Sequence, residues 1–320
     1  MTSIAKYDLA IAYDWVYDQD FVAMLAREAK QQGLTTLIVD ETNLPDVLAD
    51  VVQQKITLSA LIDRASDTSP RFLPLQECLI NSGALVIDPL PVIHRASDKA
   101  TMHLEFIANG LNTPYTIILQ PFHEKQDLML QNEDLVHLGR SFIIKPANTT
   151  GGGIGVVSGA ETLYDVIISR QEFKKDKYLL QEKVKPLTRD DKRFWFRCFY
   201  TSGLINCLWW NEKTHIFAKM TAAEITTYHL KPLFYIVKKI ARISHLTFFS
   251  SEIVLTHSGQ FVIVDYVNDS CDMRLQSKHA DGVPDQFVYY IARRLIRTVR
   301  HRLSEKKEPL LKSCIDRFCT

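Results

Sequence analysis

A chain of 320 residues that is 46% hydrophobic and 23% charged has the apolar mass for two or three packed layers or subdomains, and too little polarity for disorder. Its formal net charge of +1 excludes a global field toward nucleic acid or membrane, so any basic site must be local. The six cysteines form no CxxC pair and no zinc-type spacing, no stretch approaches about 18 uninterrupted apolar residues, and no secretory leader follows Met1, which together point to reduced thiols and a cytoplasmic protein.

The chain opens with a strand at Leu9 to Tyr13, a helix from Asp20 to Gln32 with Phe21, Met24, Leu25 and Ala29 at helical spacing, a stop at Gly33, and a second strand at Leu34 to Val39. This β-α-β order, continued by apolar runs at Leu58 to Ile62 and Ala84 to Ile87, predicts a small parallel α/β domain over residues 1–94. No Gly-x-Gly-x-x-Gly follows the first strand, which argues against a dinucleotide site. The aromatic and acidic loop Tyr13, Asp14, Trp15, Tyr17, Asp18 stands there instead, either as a cleft lining or as a packed loop.

Ser97 is an N-cap candidate for a helix that ends near Gly110, placing Lys99 in its first turn, where the helix N-terminus already attracts anions. Phe142 to Ile144 predicts a buried strand that delivers Lys145 to its end, with Pro146 as a stop. Thr149, Thr150, Gly151, Gly152, Gly153 and Gly155 then form a loop whose backbone N–H groups can approach an anion closely. An ordinary hairpin turn is the alternative for this loop taken alone.

Helices are expected at Thr162 to Ile168, Pro232 to Ile243 and Pro284 to Leu303. Strands are expected at Tyr178 to Val184, Phe194 to Tyr200, Ile205 to Trp210, Ser250 to Leu255 and Phe261 to Asp265. The arginines of the last helix fit a solvated face better than a nucleic-acid surface, and residues 304–320 are expected as a tail. Glu252 and Asp265 fall on the two strands of one hairpin, with Asn268 three residues on. Two carboxylates and an amide, with phosphates completing the shell, suit Mg²⁺.

In order and separation, Lys99, Lys145, the glycine loop, Gln181-Glu182-Lys183-Val184, Asp191-Lys192-Arg193, Glu252, Asp265 and Asn268 resemble the ATP-grasp superfamily over about residues 95–270. The resemblance implies an α/β and α+β architecture: an ATP-grasp domain at 95–303, of two α+β subdomains with a lid near 115–185, after a pre-ATP-grasp domain. It further implies that Lys99 and Lys145 hold ATP phosphates, that residues 149–155, with Thr150, Gly151, Gly152 and Gly153 among them, form a mobile lid, and that the backbone near Glu182 to Val184 is the adenine hinge. Asp190 or Asp191 would lie near the ribose, and Glu252, Asp265 and Asn268 would hold Mg²⁺. Arg193 occupies the arginine of the family's Asp-x-Arg pattern.

Two departures stand out. The second metal strand is one residue longer than the family's Glu-x-Asn, and Ser250 replaces the arginine common two positions before the first carboxylate, so Arg193 or Arg197 would have to serve the transferring phosphoryl group. Asp272 and Arg274 are candidates for an acceptor's amine and carboxylate, and Trp209, Trp210 and His215 for cleft lining, with packing roles as alternatives. The resemblance implies a ligase that activates a carboxylate as an acylphosphate for attack by an amine, acting on small-molecule or peptide substrates, without nucleic acid or membrane. A homodimer is compatible with this. An ATP-grasp kinase acting on a hydroxyl and a non-catalytic ATP-binding regulatory protein are the alternatives.

Overall fold

The structure, a computed structural model, describes residues 4–148 and 153–318, with the backbone alone for 307–318. The chain forms two compact units: residues 1–90, 201–204 and 270–320, and residues 91–200 with 205–269. No helix among the described residues is long and apolar enough to cross a membrane.

In the first unit, β1 (Ala5–Tyr7) pairs in parallel with β4 (Ile56–Leu58) beside a four-stranded sheet. That sheet comprises β2 (Leu9–Tyr13), β3 (Thr36–Val39), β5 (Ala60–Arg64) and β6 (Leu85–Ile87), in the order β3-β2-β5-β6, and every pairing is parallel. Residues Leu9 to Ala12 are all buried, as expected of a central parallel strand covered on both faces. The crossovers are α1 (Gln19–Gln31), α2 (Leu44–Val52) and α3 (Leu73–Asn81). The helix α1 buries Phe21, Val22, Leu25 and Ala29 on one face, and Gly33 takes a φ of +77° past its end, a conformation that favours glycine.

The second unit holds two antiparallel sheets. It takes in most of α4 (Leu90–Ser97), followed by α5 (Lys99–Ala108). The first sheet contains β7 (Thr116–Leu119), β8 (Phe142–Pro146), β9 (Val157–Ala160) and β10 (Tyr178–Gln181), in the order β7-β10-β8-β9. It packs Phe142, Ile144, Tyr178 and Leu180 with Leu135 of α6 (Asn132–Val136) and Val166 of α7 (Leu163–Ser169). A short hairpin, β11 (Thr188–Arg189) and β12 (Lys192–Arg193), leads into β13 (Trp195–Thr201), β14 (Leu204–Asn211) and β15 (Ile216–Lys219). Next come α8 (Ala222–Thr227), α9 (Pro232–Ser244), β16 (Phe248–Leu255) and β17 (Phe261–Asn268). The second sheet has the order β15-β14-β13-β16-β17, and the main core packs α5 and α9 residues Phe106, Val237 and Ile240 with Phe249 and Ile263 of this sheet.

Several local expectations need correction. The helices α2, α3 and α4 add to the expected elements; each begins beside a proline, Pro45, Pro74 or Pro91, which favours the first helical turn. Since α4 runs through Ser97, the cap of α5 is Asp98, whose carboxylate accepts from the Thr101 N–H at 2.8 Å. The strand expected to reach Val184 ends at Gln181. The C-terminal helix α10 (Asp285–Phe318) continues past Leu303, because Glu305, Lys306, Lys307 and Glu308 are good helix formers.

Asp98 also accepts from Lys177 Nζ at 2.8 Å. Burial opposes its charge, but Lys177 and the Thr101 N–H outweigh that and hold the carboxyl below its ordinary value. Asp98→Ala should cost about 1 kcal/mol or somewhat more in urea denaturation at neutral pH. A folded-state pKa below the unfolded one gives stability that is present above about pH 4 and lost as pH falls further, so the difference between parent and variant should shrink in acid.

Candidate functional site

The site grows from the register of the β16–β17 hairpin. Ser250 pairs with Asn268, Glu252 with Asp265 and Ile253 with Ile263. Between the first two pairs β17 contributes one residue more than β16, and the same holds between the second and third. These are bulges, and they resolve the unusual Asp265-Tyr-Val-Asn268 spacing. Residues three apart on a regular strand face opposite ways, whereas an intervening bulge returns Asp265 and Asn268 to one face. Their cross-strand partners Glu252 and Ser250 share that face.

The neighbouring strand β13 alternates so that Trp195 and Arg197 reach the same place. Arg197 Nη1 lies 3.1 Å from Glu252 Oε1, its Nε and Nη2 donate to Ser250 Oγ at 3.3 and 3.2 Å, and Trp195 Nε1 donates to Glu252 Oε2 at 2.9 Å. The guanidinium also stands 5.3 Å from the Trp210 ring centre.

Two lysines arrive from other elements. Lys145 on β8 donates from Nζ to the Val264 carbonyl at 2.9 Å, joining the two sheets of this unit beside Asp265. The Lys99 N–H donates to the Ala147 carbonyl at 3.0 Å, which fixes the start of α5 just past the end of β8.

Electrostatics separates the two carboxylates. Burial raises the Glu252 pKa, as does the neighbouring Asp265 charge, and Arg197 offsets this only in part. Burial acts the same way on Asp265, but Lys99, Lys145 and Arg197 together outweigh it and the net shift is downward. Lys145 is lowered, first by lost solvation and then by Lys99. Three cations thus surround two carboxylates, a balance that favours a further anion.

The donor set fits Mg²⁺ shared with a ligand. Among the described residues no group of three or more His, Cys, Asp or Glu side chains could hold a metal. The protein offers two carboxylates and one amide, hard oxygen donors that leave the rest of an octahedral shell to phosphates and water. Each Glu252 oxygen that accepts from Arg197 or Trp195 keeps a second lone pair.

The remaining candidates are placed unevenly. Gln181 is buried and donates from Nε2 to Tyr266 OH at 2.7 Å and Thr116 Oγ1 at 3.1 Å, so its side chain braces the fold. Glu182 exchanges two bonds with the backbone of Tyr115, its N–H reaching the carbonyl at 3.0 Å and its carboxylate accepting from the N–H at 2.9 Å. Lys183 and Val184 follow as irregular chain beyond the strand. Asp190 and Asp191 form an exposed two-residue hairpin turn at φ +53° and +57°, and Asp190 accepts from Tyr228 OH at 3.0 Å.

Arg193 pairs with Glu212 at 2.7 Å on the exposed hairpin, so the arginine brought to the carboxylates is Arg197. Arg274 belongs to the first unit, where Asp272 and Asp281 occupy its guanidinium at 2.7 and 2.8 Å, near the Trp15 and Tyr17 rings. Asp18 is likewise engaged, in a buried pair with Arg64 at 2.8 Å. Trp209 is core, packed on Phe194, Phe196 and Tyr228, while His215 stacks on Trp210. Thr150, Gly151 and Gly152 lie outside the described residues. Gly153 has a φ of +73°; at Gly155, with φ +71°, an added Cβ would lie 2.5 Å from Phe173.

Sequence reading missed Trp195, His103 and Tyr266, and marked Ser250 only as the place of a missing arginine. His103 Nδ1 lies 2.7 Å from Tyr266 OH, and that hydroxyl also accepts from Gln181, so one buried chain of polar groups ties α5, β17 and β10 together. Spacing held one clue: His103 follows Lys99 by four residues and so lies on the same side of its helix.

The fold is of the ATP-grasp kind, with a small parallel α/β sheet at the start of the chain. No family model and no curated protein matches the sequence. Among solved structures, a RimK domain ATP-grasp protein from Sphaerobacter thermophilus is similar at 16% identity and a TM-score of 0.63, covering 92% of this chain and 99% of its own. The D-alanine–D-alanine ligase of Bacillus anthracis complexed with ATP has 13% identity and a TM-score of 0.63, with 94% and 99% covered. The ATP-grasp ligase PsnB complexed with its precursor peptide and AMPPNP has 12% identity and a TM-score of 0.61, with 93% and 98% covered. At these identities the likeness is one of fold.

Burial lowers the His103 pKa to about 4, below its ordinary 6.5. A base with a depressed folded-state pKa contributes stability that is complete above the unfolded value and lost as pH falls toward the folded one. Unfolding free energy should therefore decline between about pH 6.5 and 4, by on the order of 3 kcal/mol from this group, and His103→Gln should flatten that slope in denaturant titrations.

Proposed function

We propose that the protein is an ATP- and Mg²⁺-dependent ligase that activates a substrate carboxylate as an acylphosphate for attack by an amine. The observation that supports this most is the convergence of Lys99, Lys145 and Arg197, from three different elements, on the facing pair Glu252 and Asp265. The solved structures of similar fold agree with it: one ligase holds ATP, and PsnB has been seen with a precursor peptide and AMPPNP and with a minimal precursor, Mg and ADP. Small-molecule or peptide substrates follow by analogy.

On this reading residues 95–303 form the catalytic region, with a lid near 115–185. Lys99 and Lys145 bind phosphate oxygens through charge-assisted bonds, and the chain at Glu182 to Val184 receives the adenine edge. Glu252, Asp265 and Asn268 would hold Mg²⁺, which would supply positive charge to offset that of the phosphates. Arg197, rather than Arg193 or Arg274, stabilises the phosphoryl group in flight, taking the place of the arginine that Ser250 replaces. The glycine loop excludes water that would hydrolyse the intermediate. No protein nucleophile is required.

Calorimetric titration with a non-hydrolysable ATP analogue, with and without Mg²⁺, tests the reading. Binding should need Mg²⁺, and Lys145→Ala and Asp265→Asn should each weaken it by at least about tenfold, roughly 1.4 kcal/mol, while circular dichroism stays unchanged. Equal binding by the parent and both variants would refute the site. ADP release that depends on a carboxylate and an amine together would separate a ligase from a kinase.

A further inference from the structure

The C-terminal turn of α1 and one face of α10 enclose a groove of about 480 Å³ in the first unit, lined by Glu28, Gln31, Gln32, Tyr289, Arg293, Arg297, Arg300, His301 and Ser304. Arg293, Arg297 and Arg300 recur at intervals of four and three, which stacks them along one side of the helix. Beside them Val288, Ile291, Leu295, Val299 and Leu303 form the buried face. Among the described residues none of the three arginines has an ion-pair or hydrogen-bond partner. The chain's neutral total makes this local excess of positive charge specific to the groove.

A second feature separates the groove from an ordinary solvated basic face. Glu28 is only 2% exposed, and its Oε1 has no hydrogen-bond partner; Gln32 is half-buried, but its Oε1 is also buried and unpartnered. A buried carboxylate oxygen left unpaired is costly, and the arginines around the groove do not relieve it. The groove thus offers cationic groups along α10 and buried acceptors at the end of α1.

We propose that this groove binds a small phosphorylated molecule that also carries an amino group, with the phosphate on Arg293, Arg297 and Arg300 and the N–H groups on Glu28 and Gln32. Its volume falls within the range of small-molecule pockets. The proposal is independent of the nucleotide site, which is built from other residues.

The test is binding of O-phosphoethanolamine, inorganic phosphate and ethanolamine to the full chain at fixed ionic strength, by equilibrium dialysis and thermal shift. Running it in the Lys145→Ala background removes phosphate bound at the lysine pair. O-phosphoethanolamine should bind at least about tenfold more tightly than either fragment. Arg293→Met and Arg297→Met, both at exposed positions, should each weaken it several-fold, whereas Glu28→Gln should abolish the preference over inorganic phosphate and leave phosphate binding in place. Equal binding of O-phosphoethanolamine and phosphate to the parent, no binding of either, or indifference to both arginine substitutions would overturn the proposal. The arginines would then serve the negative end of α1 alone.

Discussion

Two carboxylates that face each other across neighbouring strands repel, and burial amplifies the repulsion because little water remains to screen it. Much of the second unit follows from containing that repulsion. Arg197 must come from β13, Lys145 from the end of β8 and Lys99 from the first turn of α5, and each is set by backbone pairing. The cations do not share their effect equally. Asp265 meets all three and is stabilised as an anion, whereas Glu252 leans on Arg197 and Trp195 and stays the harder of the two to ionise. A cation or phosphate entering here meets an asymmetric pair.

The β17 strand pays for its bulges in lost regularity, and a polar chain compensates. Tyr266 lies between Asp265 and Asn268, and its hydroxyl is held by His103 and Gln181. Since the three residues come from α5, β17 and β10, the network fixes the carboxylate strand against both the helix that carries Lys99 and the sheet that carries Lys145. Phe106 adds an edge-to-face contact on the Tyr266 ring, 5.4 Å between centres, so the anchor is apolar as well as polar.

Charge in this protein is organised locally. The near-zero net charge hides a cationic excess around Glu252 and Asp265 and another along α10, while elsewhere charges are consumed in pairs such as Asp18 with Arg64 and Arg274 with Asp272 and Asp281. This explains why residue type alone misleads: Arg193, Arg197 and Arg274 look interchangeable in sequence, but of the three Arg197 lies beside Glu252, Arg193 pairs with Glu212, and Arg274 already has two acidic partners.

The sequence by itself determined the β-α-β opening, the strand that carries Lys145, the hairpin of Glu252 and Asp265, and the resemblance to ATP-grasp proteins. Hydrophobic period, glycine and proline punctuation and motif order are all local in the chain. It could not distinguish Ser97 from Asp98 as the cap of α5, because a preceding helix that consumed Ser97 was hidden behind Pro91. Nor could it place Gln181 in a buried network, since its partner Tyr266 lies 85 positions away. Tertiary structure alone decided which arginine meets Glu252 and how Asp265 and Asn268 share a face. Both depend on strand order and on bulges, properties of pairing between distant segments that no single segment encodes.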